Sequence, residues 1–239
     1  RDEKQIPALV KILVSAPTEA DRDAAEQAIE TLCQKTTGNV TGSLVAGMND
    51  SDLDGKTALL RILKSVGDAQ SLAVIRQAAA DPTPKIKDAA IRTLAEWEDL
   101  AAAKDLLSIA RAADNPLHRA LAFSGYIRLV RDADLKGDER MAMISAAAEI
   151  AKTVDEKKLL IAALSDVYSV DSLKMVAPYL DVPELADEAS AAAVGIAGRA
   201  NNLPKATAGE VLKKVLAVVR NPSLREAALK LMNRLGITD

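Results

Sequence analysis

Three alanines, Ala58, Ala89 and Ala120, stand 31 residues apart, each within a segment of the same apolar spacing. The segments are 56–66 (KTALLRILKSV), 87–97 (KDAAIRTLAEW) and 118–127 (HRALAFSGYI). One interval back lies Gln27, and matching anchors follow at Leu159, Ala189 and Ala227, after steps of 39, 30 and 38. Five residues after the anchors come Leu32, Leu63, Leu94, Gly125, Leu164, Val194 and Met232. Two residues after them come Ile29, Leu60, Ile91, Ala122, Ile161, Ala191 and Leu229. Positions three apart share a helix face, so these columns read as the buried stripe of a helix that recurs seven times. A period near 31 is the signature of a stacked array, because one short unit cannot bury its own apolar face.

A second helical segment precedes each anchor helix, for example at 72–80, 104–112, 141–152, 173–179 and 211–219. The connectors carry Asp81-Pro82-Thr83-Pro84, Asn115-Pro116, Val182-Pro183 and Asn221-Pro222. Proline is tolerated at a helix start, where its missing N–H would be unpaired anyway. No strand-like alternation occurs. Apolar residues are 49% of the chain, yet aromatic residues are only 2%. Alanine and leucine fill the core positions, as expected for helices packed through small side chains. The expected fold is all-α, a right-handed α-α superhelix (solenoid) of about seven helical hairpins, with residues 1–239 as one domain. The 39- and 38-residue steps imply longer first helices or loops in the fifth and seventh repeats.

The segments DPTPKIKDAAIRTLAEW (81–97), DEKKLLIAALSDVY (155–168) and NPSLREAALKLMNRL (221–235) resemble HEAT repeats, of the short bacterial type also called phycobilin-lyase HEAT-like. HEAT repeats often place an Asp at the turn and a Lys or Arg at the start of the second helix. Asp50 with Lys56, and Asp81 with Lys87, share that six-residue spacing as a structural ladder; the fourth repeat departs from it with Ala112 and His118. The resemblance implies a binding or scaffolding module, commonly fused to other domains, including exported ones. The start at Arg1 rather than Met agrees with a fragment of a longer protein or a mature form. Ile6, Leu9, Val10, Ile12 and Leu13 form an apolar N-terminal face that a further domain is expected to cover.

Several chemistries are excluded or disfavoured. One Cys and one His cannot build a Cys/His zinc site. Any Ser–His or Cys–His pair would have to use His118, which occupies the polar column of Lys56, Lys87, Lys157 and Arg225. Cys33 has no CxxC or histidine partner to activate it and reads as a small, half-buried thiol. Trp97, in the column of Val66, reads as a ring closing a seam between repeats. Acidic groups such as Glu184, Asp187 and Glu188 suit helix starts. Gly195 and Gly198 lie in AAAVGIAGRA, which is not a dinucleotide fingerprint and suits close helix packing. A net charge of −3 and no dense basic cluster argue against nucleic acid, and no apolar run spans a membrane.

The remaining outward columns hold Glu30, Arg61, Arg92 and Phe123, then Cys33, Lys64, Ala95 and Tyr126. Arg61, Lys64, Arg92, Tyr126 and Arg128 therefore form a candidate binding stripe, since arrays of this kind bind along extended surfaces and Arg and Tyr dominate hot spots. The bland alternative is a solvated face with pairs such as Glu30–Arg61, worth about 0–1 kcal/mol each. The expected function is a non-catalytic module, without cofactor or metal, that binds a protein partner or other domains of the same polypeptide. The alternatives are a HEAT-like enzyme or a nucleic-acid-binding array. Deoxyhypusine hydroxylase needs several His–Glu pairs, DNA glycosylases of this type need a basic surface and clustered Trp, and bilin lyases need a tetrapyrrole pocket. One His, one Trp and five aromatic rings fit none of these well.

Overall fold

The computed structural model describes residues 5–33 and 40–237; Arg1 lies outside them. Among the described residues the fold is all-α, without strands. The first hairpins are α1 (Ile6–Val14) with α2 (Glu19–Cys33), α3 (Val40–Asp50) with α4 (Leu53–Val66), and α5 (Ala69–Ala79) with α6 (Pro84–Ala95). They are followed by α7 (Ala103–Ala112) with α8 (Pro116–Asp132), and α9 (Gly137–Ala148) with α10 (Val154–Ser165). The last are α11 (Val170–Val176) with α12 (Ala186–Arg199), and α13 (Lys205–Val218) with α14 (Pro222–Leu235). All seven anchors fall in the second helix of a hairpin.

The chain divides within α8 into two compact units, Arg1–Tyr126 and Ile127–Asp239. In the first, α1 packs on α2 and α3, and the second helices pack successively, α2 on α4 and α4 on α6. In the other, α10 packs on α12 and α12 on α14, with α13 against both α12 and α14. Leu59, Leu60, Ile62 and Leu63 of α4 are fully buried, and Ala90, Ile91, Thr93 and Leu94 repeat the pattern 31 positions on. Each buried Leu or Ile side chain stabilises the fold by about 1.5–3 kcal/mol.

The turns are fixed by their own residues. Asp52 accepts from the Gly55 N–H at 2.7 Å to start α4, and Gly67, at φ 69°, ends it in a left-handed conformation that a Cβ would strain. Thr153 and Glu156 form a reciprocal capping box at α10. Pro84, Pro116 and Pro222 each open a helix, as the connectors predict. A partly buried network joins α3 to the start of α5: Thr41 Oγ1 donates to Asp68 Oδ2 at 2.8 Å and lies 3.1 Å from Ser71 Oγ. Burial alone would raise the Asp68 carboxyl, but the Ser71 N–H and the Thr41 hydroxyl hold it below its ordinary range.

Several expectations need correction. In α12 the buried pairs are Ala189–Ser190 and Ala192–Ala193, so its register begins one residue earlier than Ala189, and Ala191 is exposed. Leu229 is also exposed, at 43%. The extra length near the fifth repeat lies partly in the 17-residue α8 and partly in the connectors 133–136 and 149–153, with little in α9; near the seventh it lies in the connector 200–204 and the 14-residue α13, as expected. The first helix of the sixth hairpin stops at Val176 and tightens into a 3-10 turn, because Pro178 has no N–H for an α-helical bond. At the N-terminus, Ile6, Val10 and Leu13 are already buried, leaving Ile12 exposed at 53% and Leu9 half-buried. Gly195 has open space where a Cβ would stand, so it does not serve close packing. Gly125 is packed against backbone: a Cβ there would lie 2.7 Å from the Ala95 carbonyl oxygen.

Candidate binding cleft

Helix α4 carries Arg61, Lys64 and Ser65 on one face, and α6 carries Lys85, Asp88 and Arg92 on its own. Packed together they form a cleft of about 480 Å³, lined also by Glu30, Thr57 and Glu96. Three of the five predicted stripe residues, Arg61, Lys64 and Arg92, therefore share one site.

Its electrostatics differ from a basic stripe. Arg61 grips Glu26 bidentately, Nε to Oε1 at 2.7 Å and Nη2 to Oε2 at 2.6 Å. The expected Glu30–Arg61 pair does not form; Glu30 accepts from the Ser65 hydroxyl at 3.2 Å. Glu26 is the better placed partner because it is buried, its side chain 11% exposed against 51% for Arg61. Lys64 donates to Glu96 at 2.8 Å, Arg92 to Asp88 at 2.8 Å, and Lys85 to Asp54. The Arg92 guanidinium, with His118 beside it, holds the Asp88 carboxyl below the ordinary carboxylate range. The result is a mixed-charge rim whose cations all have carboxylate partners.

Tyr126 does not belong to this face. It is 3% exposed, and burial pushes its hydroxyl up to about 12. Phe123, in the other outward column, is fully buried as well. The reason is α8, which buries Ala122, Phe123, Tyr126, Ile127, Leu129 and Val130 and so turns those columns inward. Arg128, in the other unit, lies 3.8 Å from Asp132 within its own helix and does not line the cleft.

The remaining predicted residues also find places. His118 is 8% exposed, with Nε2 3.1 Å from Asp88 Oδ1 on the preceding hairpin, a structural cross-link. Asp81 and Lys87 line a second opening of about 710 Å³ with Ile91, Ile109 and His118. Asp81 accepts from the Thr83 N–H at 2.7 Å, which with the Thr83 hydroxyl holds its carboxyl low; Lys56 of the preceding hairpin adds to this. Asp50, exposed at the end of α3, leaves the capping of α4 to Asp52. Trp97 is buried beyond α6, lining a recess with Val66 as its column predicts. Cys33 is buried, and desolvation raises its thiol to about 11.

Lys85, Asp88, Glu26 and Glu96 escape a search by column alone. Their signal is opposite charge about one repeat apart: Asp54–Lys85, Glu26–Arg61 and Lys64–Glu96 are separated by 31, 35 and 32 residues. Among the described residues no group of three or more His, Cys, Asp or Glu is arranged to hold a metal ion. No helix there is long and apolar enough to cross a membrane.

Residues 42–125, which span both walls of the cleft, match the family model for HEAT repeats. No curated protein matches the sequence. Among solved structures, the chain is similar to a crystal structure of an engineered protein from the Northeast Structural Genomics Consortium. The TM-score is 0.55 at 16% identity, covering 98% of this chain and 69% of that one. That likeness supports the helical repeat fold. Human deoxyhypusine hydroxylase, solved with glycerol, aligns over 98% of this chain and 97% of its own at 13% identity. Its TM-score is 0.38, too slight a likeness to bear on function.

Proposed function

We propose that this chain is a non-catalytic interaction module that binds a protein partner, or another domain of the same polypeptide, through the surface of its second helices. The observation that carries the reading is the α4–α6 cleft. Its long side chains are held at the rim by ion pairs, yet Arg61 and Arg92 remain about half exposed. Groups ordered in advance cost less entropy to immobilise when a partner arrives. Arg is enriched at binding hot spots, and a polar rim around a recess is the usual anatomy of a protein interface. The HEAT-repeat match over these helices agrees with such a role. The single histidine is committed to Asp88 and the single thiol is held protonated at neutral pH, which favours binding over catalysis.

The test is a pull-down from lysate of the source organism with the whole chain and with a Lys64→Ala/Lys85→Ala/Arg92→Ala variant. The expected result is a salt-stable protein captured by the wild type and lost with the variant at unchanged helicity. A nucleic-acid fraction that dissociates in high salt would overturn the reading.

A further inference from the structure

The α4–α6 cleft has an equivalent in the other unit. Ala89, Arg92, Thr93 and Glu96 of α6 correspond to Ala227, Lys230, Leu231 and Arg234 of α14, each 138 positions on. These four line a groove of about 440 Å³ against Val194, Gly195, Gly198 and Arg199 of α12. The chemistry is changed on both walls. Where Glu96 supplies a carboxylate, α14 has Arg234. Where α4 presents Lys64 and Ser65, α12 presents Val194 and Gly195 in its corrected register, and the space above Gly195 is open.

The groove is lined by three cations and no acid. Lys230 pairs with Glu226 at 2.6 Å at one end. Arg234 donates to the Gly198 carbonyl at 3.0 Å, and Arg199 donates to the Tyr168 hydroxyl at 2.7 Å with its guanidinium 5.2 Å from that ring. Neither arginine forms an ion pair there, although both are held in place. This contrasts with the α4–α6 cleft, where every cation has a carboxylate.

We infer that the α12–α14 groove binds an acidic segment of a protein partner, its carboxylates on Arg199 and Arg234 and its backbone over Gly195. Guanidinium forks match carboxylates bidentately, and the bare glycine floor admits a main chain that a side chain would hold off. The apolar wall of Val194 and Leu231 suits a peptide. A nucleic acid would want free rings to stack on, but Arg199 occupies Tyr168, and the chain as a whole is acidic. This inference stands on different residues from the α4–α6 cleft and does not depend on it.

The experiment titrates the whole chain into a fluorescein-labelled deca-glutamate peptide at low salt, with deca-lysine and an oligothymidylate of equal length as comparators. Saturable binding of deca-glutamate alone is expected. An Arg199→Gln/Arg234→Gln variant should weaken it at least tenfold. Gly195→Leu, which changes no charge and improves helix propensity, should weaken it as well by filling the floor. A Lys104→Gln/Lys174→Gln variant of the same net charge should bind like the wild type. Absent binding, tighter binding of oligothymidylate, or equal loss in the Lys104/Lys174 variant would each overturn the inference. Circular dichroism melts of each variant separate loss of binding from loss of fold.

Discussion

At the scale of residues, burial explains which side chains are quiet. Cys33 and Tyr126 both titrate above their ordinary values because burial disfavours the charged form. The folded state therefore holds these protons more tightly than the unfolded chain. Their contribution is complete below pH 9 and is lost as pH rises, towards 11 for Cys33 and 12 for Tyr126. Thermal midpoints measured from pH 8 to 12 should fall over that window, and Cys33→Ala should flatten its lower part. Ser190 in α12 is fully buried and its hydroxyl has no hydrogen-bond partner. Ser190→Ala should raise stability by about 1 kcal/mol in a urea melt, since an unsatisfied buried hydroxyl is a cost that alanine removes. The columns made Leu63, Leu94, Leu164 and Met232 legible as core from the sequence. They misplaced Phe123 and Tyr126, because a period fixes where a side chain points on an average helix, while its apolar area decides which way the helix rolls. Arg61, Lys64 and Arg92 of the cleft were readable for the same reason, whereas Lys85, Glu26 and Glu96 were not, since they lie in other columns.

At the scale of elements, the second helices were found to within a few residues and the first helices less well. Helix α11 is short because of Pro178, and α13 begins six residues ahead of its expected start, in a stretch without strong apolar spacing. Helix α8 is the element that departs furthest from the repeat. Gly125 lets its backbone approach Ala95, where the other hairpins have a larger side chain in that column. Gly125→Ala would place a Cβ 2.7 Å from the Ala95 carbonyl oxygen and 2.8 Å from its Cα, both backbone atoms that cannot rotate aside. Despite alanine's better helix propensity, the variant should be about 1–3 kcal/mol less stable by denaturant melt. An unchanged or raised midpoint would show that α8 can move off α6 at little cost.

At the scale of the whole molecule, energy should be lost locally. Leu94 is fully buried in α6, so Leu94→Ala should cost about 2–5 kcal/mol. Because hairpins interact mainly with their neighbours, hydrogen exchange in that variant should quicken in α4 to α6 and stay at wild-type rates in α12 to α14. Uniform acceleration along the chain would mean that the array melts as one block. The side-chain links between hairpins carry a further consequence. Arg76–Asp105, Lys64–Glu96, Arg131–Asp166 and Lys214–Asp181 join residues 29, 32, 35 and 33 apart. Each of these four links closes a loop of nearly constant size and waits for no distant part of the chain. During synthesis, a later hairpin within a unit meets a docking face already assembled by the one before it, as α6 meets α4 and α12 meets α10. Each unit can then condense hairpin by hairpin at the pace of translation.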